Sequence, residues 1–232
     1  LYRLPYHWFP EERLKRFERE EKQRILARLL DDARADAPTA VARHLDVGCG
    51  DGRWTHDLHA HLQRRAPDVR TEGVDFSARA IGFARLICPH LTFHVHTGTS
   101  LPFDDGAFDL VSAIEVIEHV PDDQERAFLR ELRRVCAAGG LLLLTTPSWN
   151  LPLTHHHERH YDVDRLVDLI AEAGFRVIGV RGQSRAVRGR GRWLRKRMNW
   201  MPKVWKLWRF SYRERPPARS LNLMVVARAA SA

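Results

Sequence analysis

Hydrophobic positions change their period along this chain, and the change divides it. Leu14, Phe17, Glu21, Ile25 and Leu29 recur at helical spacing, mostly apolar, and predict an amphipathic helix over residues 10–30. Residues 31–39, rich in Ala, Asp and Pro, read as a connector. From Val41 onward, short apolar runs alternate with helical segments. Strands are predicted at His44–Val47, Thr71–Val74, Thr92–Val95, Phe108–Ile114, Leu141–Thr145, Arg176–Val180 and Leu223–Ala227. Helices are predicted near 53–65, 78–87, 123–136 and 163–173. This alternation implies parallel βαβ units and a doubly wound α/β sheet. Ser77 is placed to cap the helix after it, while Gly139-Gly140 and Gly174 read as helix stops.

With 44% hydrophobic and 29% charged residues, the 232-residue chain has the make-up of a soluble globular domain with a modest extension. A formal net charge of +9 changes that picture, because it points to an acidic partner: nucleic acid, anionic membrane or a phosphorylated substrate. The charge is concentrated. Residues 181–219 hold fourteen Lys or Arg against one acid, Glu214, together with Trp193, Trp200, Trp205 and Trp208. Leu194, Met198, Met201, Trp205 and Trp208 form a helical stripe that Pro202 kinks or splits. The stretch reads as a membrane-surface element for a lipid substrate or as a lid with solvated charges. A track for nucleic acid ranks behind both, because no aromatic RNA-binding signature accompanies it.

Cys49, Cys88 and Cys136 form neither a CxxC site nor a disulfide framework, which favours a reducing compartment. No apolar run approaches the roughly 20 residues that span a bilayer, and the start, at Leu1 rather than Met, carries no signal segment. The expectation is a cytoplasmic protein with peripheral contact at the membrane surface. It divides into an N-terminal helical cap (1–40), a core (41–180), a basic insertion (181–220) and a final strand (221–232).

The segment that carries chemistry is His44-Leu45-Asp46-Val47-Gly48-Cys49-Gly50-Asp51-Gly52, a strand running into a glycine turn, with a helix from about Arg53. Glycines there can take positive φ and let a ligand approach the backbone. In open α/β sheets the ligand crevice lies at the carboxyl ends of the strands, where this turn sits. A GxGxG turn alone is compatible with nicotinamide or flavin dinucleotides. This one lacks the GxGxxG spacing, carries Asp46 in the strand just before the first glycine, and is followed by a strand ending Gly73-Val74-Asp75-Phe76-Ser77. A carboxylate at that end can accept hydrogen bonds from both hydroxyls of a ribose, and Phe76 is placed against an adenine face.

Together with Leu101-Pro102-Phe103, Phe108–Val111, Glu115–Val120 and Gly139–Pro147, these motifs resemble the class I S-adenosylmethionine (SAM)-dependent methyltransferases. The resemblance covers roughly residues 41–180, with a last strand near 221–228. It implies a Rossmann-like sheet of seven mostly parallel strands with an antiparallel last strand. The N-terminal helix would cap the cofactor or substrate side, and the basic segment would be inserted before the last strand. It implies SAM as cofactor: Asp46 orienting the amino end of the methionine, Gly48, Cys49, Gly50 and Gly52 presenting backbone, Asp75 on the ribose and Phe76 beside the adenine. Ile114 and Glu115 would line the methionyl side. Where the family often places an Asp on the adenine amino group, this chain has Thr97, whose hydroxyl can accept the same bond.

Methyl transfer from a sulfonium requires an in-line nucleophile and, for a hydroxyl, removal of its proton. His119, in Glu115-Val116-Ile117-Glu118-His119, is the candidate base, with Glu115 supporting it; a purely pocket-shaping role for His119 stays open. Glu115, Glu118 and His119 also share one face if this turn is helical, and such a set can bind a divalent cation such as Mg2+. Here the sequence resembles two metal-assisted groups, the O-methyltransferases of ubiquinone synthesis and the enzymes that 2′-O-methylate small RNAs. The later run Thr154–Tyr161, with His155, His156, His157 and His160, reads as pocket lining, further ligands or an exposed loop. The expected function is O-methylation of a small hydrophobic or lipid-linked acceptor, such as a quinone precursor or another natural product. The alternatives are a metal-assisted RNA methyltransferase and a catalytically silent SAM-binding or membrane-adaptor protein.

Overall fold

The computed structural model describes residues 5, 7–8, 13–35, 41–153, 157–184 and 212–230, the side chains of residues 13 and 14 excepted. Strands β1 (Arg43–Val47), β2 (Arg70–Asp75), β3 (Thr92–Val95), β4 (Phe108–Ile114), β5 (Cys136–Pro147), β6 (Phe175–Gln183), β7 (Glu214–Arg215) and β8 (Asn222–Ala229) form one sheet. Its order is β3-β2-β1-β4-β5-β8-β6-β7. The first five strands pair in parallel, and β8 runs antiparallel between β5 and β6. Helices α1 (Arg13–Ala35), α2 (Arg53–Gln63), α3 (Ala78–Ile87), α4 (Glu125–Val135) and α5 (Val163–Glu172) accompany it. This is the doubly wound, Rossmann-like sheet with the antiparallel last strand that the motifs imply. The eighth strand, β7, is a two-residue addition at the β6 edge, too short to carry a hydrophobic period.

The central strands are apolar on both faces, as burial under two helical layers requires. Leu142 and Leu144 of β5 pack with Leu129 and Leu132 of α4 and Leu166 and Ile170 of α5. Their neighbours Leu141 and Leu143 point the other way, into Leu29 and Leu30 of α1 and Leu58 and Leu62 of α2. Ser77 caps α3 by accepting a hydrogen bond from Ala80 N at 3.2 Å. Gly174, at φ +93°, separates α5 from β6 as predicted.

Two boundaries differ from the sequence reading. Helix α1 continues to Ala35 through residues assigned to a connector. Ala33 is buried there, and Asp31 binds His61 of α2 and Arg65 beyond it, so tertiary contacts outweigh the Asp-rich composition. Gly139-Gly140 do not stop a helix: α4 ends at Val135, and the glycines lie in β5, where the register with β4 shifts between Phe108 and Leu110. A Cβ at Gly140 would sit 2.9 Å from Ala137 O and 3.0 Å from Asp109 O, so this irregular crossing requires glycine. The buried face of α1 is part of the α2-side core. Residues 185–211, most of the basic segment, lie outside the described residues, as do Thr154, His155 and His156.

Between β1 and α2 the packing is polar. Thr55 and Ser112 donate to the two oxygens of Asp46, each at 2.6 Å, and His44 Nε2 lies 2.9 Å from the Ser112 hydroxyl. Thr71 links the far side of the His44 ring to His59. Burial, with His59 nearby, pulls the His44 imidazole down to about 3. Between that value and the ordinary 6.5 only the unfolded chain binds this proton, so the stability present above about pH 6.5 is lost as pH falls. Asp46, pushed up to about 6 by burial, acts in the opposite sense below that pH and offsets part of the loss. We therefore expect the advantage in thermal midpoint of wild type over His44→Gln to narrow from pH 7.5 to pH 4.5. A constant gap across that range would show that this imidazole does not control the acid response.

Candidate active site

Strand β1 delivers its chain into the glycine turn at the point where the strand order reverses, between β1 and β4. Gly48 N and Cys49 N donate to Val74 O of β2 at 2.8 and 3.1 Å, which ties the turn to its neighbour strand. Gly48 sits at φ +72°, and a Cβ there would lie 2.5 Å from Cγ2 of Val116, so neither the backbone nor the space admits a side chain. Gly50 and Gly52 are also left-handed. The Cys49 side chain packs with Ile81, Ala84 and Phe93, and burial pushes its thiol well above the ordinary range. Cys49 therefore offers only backbone at the turn.

Asp75, at the end of β2, is held by two backbone donors: Gly50 N at 2.9 Å on one oxygen and Ser77 N at 2.8 Å on the other. Burial pushes its carboxyl up, and those two bonds oppose the shift. A cavity of about 300 Å³ opens beside it, bounded by Gly48, Phe76, Thr97, Val116 and His119 among others. Phe76 is 67% exposed at the rim, where an aromatic face can receive a flat heterocycle. Thr97 and His96 form the wall where the family often has an Asp, and His96 N donates to Asp75 O at 3.0 Å. Ile114 turns away from this cavity, into the cluster beneath α1 and α2. Asp46 is buried below the turn among Thr55 and Ser112 rather than at the cavity surface.

The segment after β4 is not an α-helical turn. Glu115 has φ +57°, a 3-10 turn follows over Ile117–His119, and the three residues expected on one face are split. Glu115 Oε1 accepts from the Thr145 hydroxyl at 2.7 Å and meets Lys22 Nζ of α1 at 2.9 Å. Burial pushes its carboxyl up, but Lys22 and Thr145 outweigh that and hold it below the usual carboxylate range. Glu118 is fully buried; its Oε2 accepts from the Thr146 hydroxyl at 3.1 Å, whereas Oε1 has no hydrogen-bond partner among the described residues. Burial, reinforced by Glu115, pushes the Glu118 carboxyl well above its ordinary value.

His119 stands edge-to-face against His157, ring centroids 4.9 Å apart. Ligand atoms of Glu118, His119 and His157 all lie within 4.8 Å of one another. His157 Nδ1 is 2.7 Å from His160 Nε2, and His160 Nδ1 is 2.9 Å from Leu151 O. A carbonyl can only accept, so His160 donates from Nδ1, and when both rings are neutral its Nε2 accepts from His157 Nδ1. Two residues of this site were missed in the sequence: Lys22, and His157 as the particular partner of His119. Lys22 had a signal, since a lysine preceding Ile25 and Leu26 at i+3 and i+4 falls on the helix's own apolar face.

Residues 45–140 match the family described as "Methyltransferase domain". The chain is 31% identical over 154 residues to a Mycobacterium tuberculosis protein named "Probable S-adenosylmethionine-dependent methyltransferase", covering 63% of this chain and 53% of that one. It is 33% identical over 131 residues to ajmaline N-methyltransferase of Rauvolfia serpentina, covering 51% and 43%. The chain thus spans about half the length of the curated relatives it matches. A solved SAM-dependent methyltransferase from Methanosarcina mazei shares the fold, with a TM-score of 0.59 at 18% identity over 85% of this chain and 97% of that one. The sheet order and the glycine turn define a doubly wound, Rossmann-like α/β domain. Over residues 45–140 the chain is, more particularly, similar to the methyltransferase domain of proteins named as SAM-dependent methyltransferases.

Proposed function

We propose that this chain transfers the methyl group of SAM to a hydroxyl of a small hydrophobic or lipid-linked acceptor, such as a quinone precursor or another natural product. The observation that carries this reading is the imidazole pair: His119 lines the cavity that also holds Asp75, with His157 against its ring. Gly48 to Gly52 present backbone to the cofactor, Asp75 takes its ribose hydroxyls, and Phe76 covers the adenine. A hydroxyl attacking a sulfonium methyl must lose its proton, and an imidazole is a suitable acceptor for it. Trp149 and Leu153, 67% and 59% exposed on the stretch that receives His160, support an apolar acceptor. Contact with a membrane surface through residues 181–219 belongs to the same reading. No described helix is long and apolar enough to cross a membrane.

A second reading places a divalent cation on Glu118, His119 and His157, favoured by their convergence and by Glu118 Oε1, which has no hydrogen-bond partner among the described residues. Two imidazoles and a carboxylate suit zinc, manganese or iron better than the Mg2+ expected from two carboxylates and one imidazole. Such an ion, when bound, supplies Lewis acidity to an acceptor hydroxyl.

The test is transfer of labelled methyl from SAM into a cell extract separated into lipid, RNA, protein and small-molecule fractions, with and without a chelator. Label is expected in the lipid or small-molecule fraction. His119→Ala is expected to lower it by on the order of 100-fold or more, with S-adenosylhomocysteine affinity unchanged. Loss of transfer on chelation would move His119 from base to ligand. Label in RNA would replace the acceptor class, methylated nitrogen in the product would replace the hydroxyl, and binding without transfer to any fraction would favour a silent binder.

A further inference from the structure

Residues 181–219 bring charge towards a membrane but no place of entry, and the described residues beside them supply one. Strand β6 ends at Gln183, which pairs with Glu214 of β7 and with Asn222 of β8. Asn222 pairs in turn with Pro147, the last residue of β5. The basic segment therefore departs and returns at the carboxyl end of the sheet, the end that holds the cavity and His119. Its fourteen cations face a single acid, Glu214, which is already engaged by Arg181 at 3.1 Å and Arg28 at 3.7 Å. Arg213 and Arg219 are exposed.

The loop that follows β5 stands at the same end. Trp149 and Leu153, four positions apart, are largely exposed, and so is Pro152. The backbone imposes that exposure: Ser148 N donates to Leu221 O at 2.7 Å, Trp149 N to Tyr161 O at 2.8 Å and Leu151 N to Ser148 O at 2.8 Å. Asn150 Nδ2 donates to the carbonyls of Ala218 and Ser220 at 3.1 and 3.0 Å, which fastens the loop beside Arg219. Single exposed apolar residues are ordinary on a protein surface. Two large ones held outward by one hydrogen-bonded loop, with cations beside them, match the boundary between acyl chains and anionic headgroups. Stacking on nucleic acid would call for further rings along a basic groove, whereas Pro152 and Leu153 offer neither a ring face nor a donor to a base.

We propose that the loop of residues 148–153 enters an anionic lipid bilayer, Trp149 and Leu153 reaching the acyl boundary while Arg213, Arg219 and the other cations of residues 181–219 meet the headgroups. This rests on the lipid-linked reading of the acceptor and gives it an orientation. Leu151 O of the same loop meets His160 Nδ1 at 2.9 Å, and His160 Nε2 lies 2.7 Å from His157 Nδ1. The inserted loop thus borders the imidazole pair, and an acceptor held in the bilayer would reach His119 without leaving the lipid surface.

Co-sedimentation of the full chain with vesicles tests the docking face without SAM or acceptor. Vesicles of phosphatidylcholine alone are compared with vesicles that also hold about 30% phosphatidylglycerol, at roughly 0.1 M and roughly 0.5 M salt. Binding to the anionic vesicles is expected to be on the order of 10-fold or more tighter, and to weaken at the higher salt. Trp149→Ala combined with Leu153→Ala is expected to weaken it on the order of 10-fold, with thermal midpoint and S-adenosylhomocysteine affinity unchanged because both side chains are exposed. Equal binding to the two vesicle types, or binding to neither, would overturn the proposal. So would a double variant that binds anionic vesicles as wild type does, or retention on single-stranded RNA without retention on vesicles. Anionic-vesicle binding with no methyl label in the lipid fraction would instead sink the lipid-linked acceptor, a result distinct from loss of the docking face.

Discussion

Asp75→Ala is expected to weaken S-adenosylhomocysteine binding by on the order of 100-fold, measured by calorimetry at neutral pH. Hydrogen bonds to a charged acceptor contribute about 1.5–3 kcal/mol each, and two ribose hydroxyls would both be lost. A second effect adds to the first. The carboxylate that faces the cavity also accepts from Gly50 N and Ser77 N, so alanine leaves two backbone donors of the binding turn without their partner. On the proposed reading, the group that would anchor the cofactor is also the one that anchors the turn. Unchanged affinity would remove Asp75 from the ribose site.

Glu125→Ala is expected to lower the thermal midpoint by roughly 10 °C in calorimetry, from about 3–5 kcal/mol for breaking a buried ion pair at about 2–4 °C per kcal/mol for a domain of this size. Glu125, 2% exposed, accepts from the Tyr161 hydroxyl at 2.6 Å and pairs with Arg165 at 3.2 Å and Arg159 at 3.4 Å. Arg159 in turn binds Asp122 and the carbonyls of Ile117 and Val120. This network joins α4, the turn after β4 and the stretch that follows residue 157. Its loss frees the backbone that brings His157 to His119, so turnover should fall more than S-adenosylhomocysteine affinity. A midpoint within 2 °C of wild type would show that the pair is not fully desolvated.

The sheet was legible because its code is local. Each of the seven predicted strands was a short apolar run bounded by polar or glycine punctuation, and each is present. The glycine turn and Asp75 were legible for a related reason: a strand end, a tight turn and a helix start leave signatures within a few residues. Gly139-Gly140 misled because glycine serves a helix stop and a strand irregularity equally well, and only the pairing of β4 with β5 selects between them. The Asp-rich residues 31–35 misled because composition there opposes a helix that Asp31 stabilises from outside, through His61 and Arg65.

The chemistry around Glu115 was half legible. Glu118 and His119 are adjacent in sequence and remain adjacent in space, whereas their third companion is His157, 38 positions beyond His119. Glu115 was grouped with them by helical spacing, but a positive φ at that residue turns its carboxylate towards Lys22, 93 positions earlier. Asp46 sits where the motif places it, yet which groups its oxygens meet depended on Thr55 and Ser112 from two other elements.

Period, punctuation and motif spacing in the sequence determined the sheet, the glycine turn at its reversal point and the carboxylate at the end of β2, because each is set by interactions within a few residues. The tertiary structure alone decided that Lys22 meets Glu115, that His157 meets His119 and that Glu125 ties these segments together. Those contacts join residues tens of positions apart, and side chains at such separations are brought together only by the packing of the whole sheet and its helices.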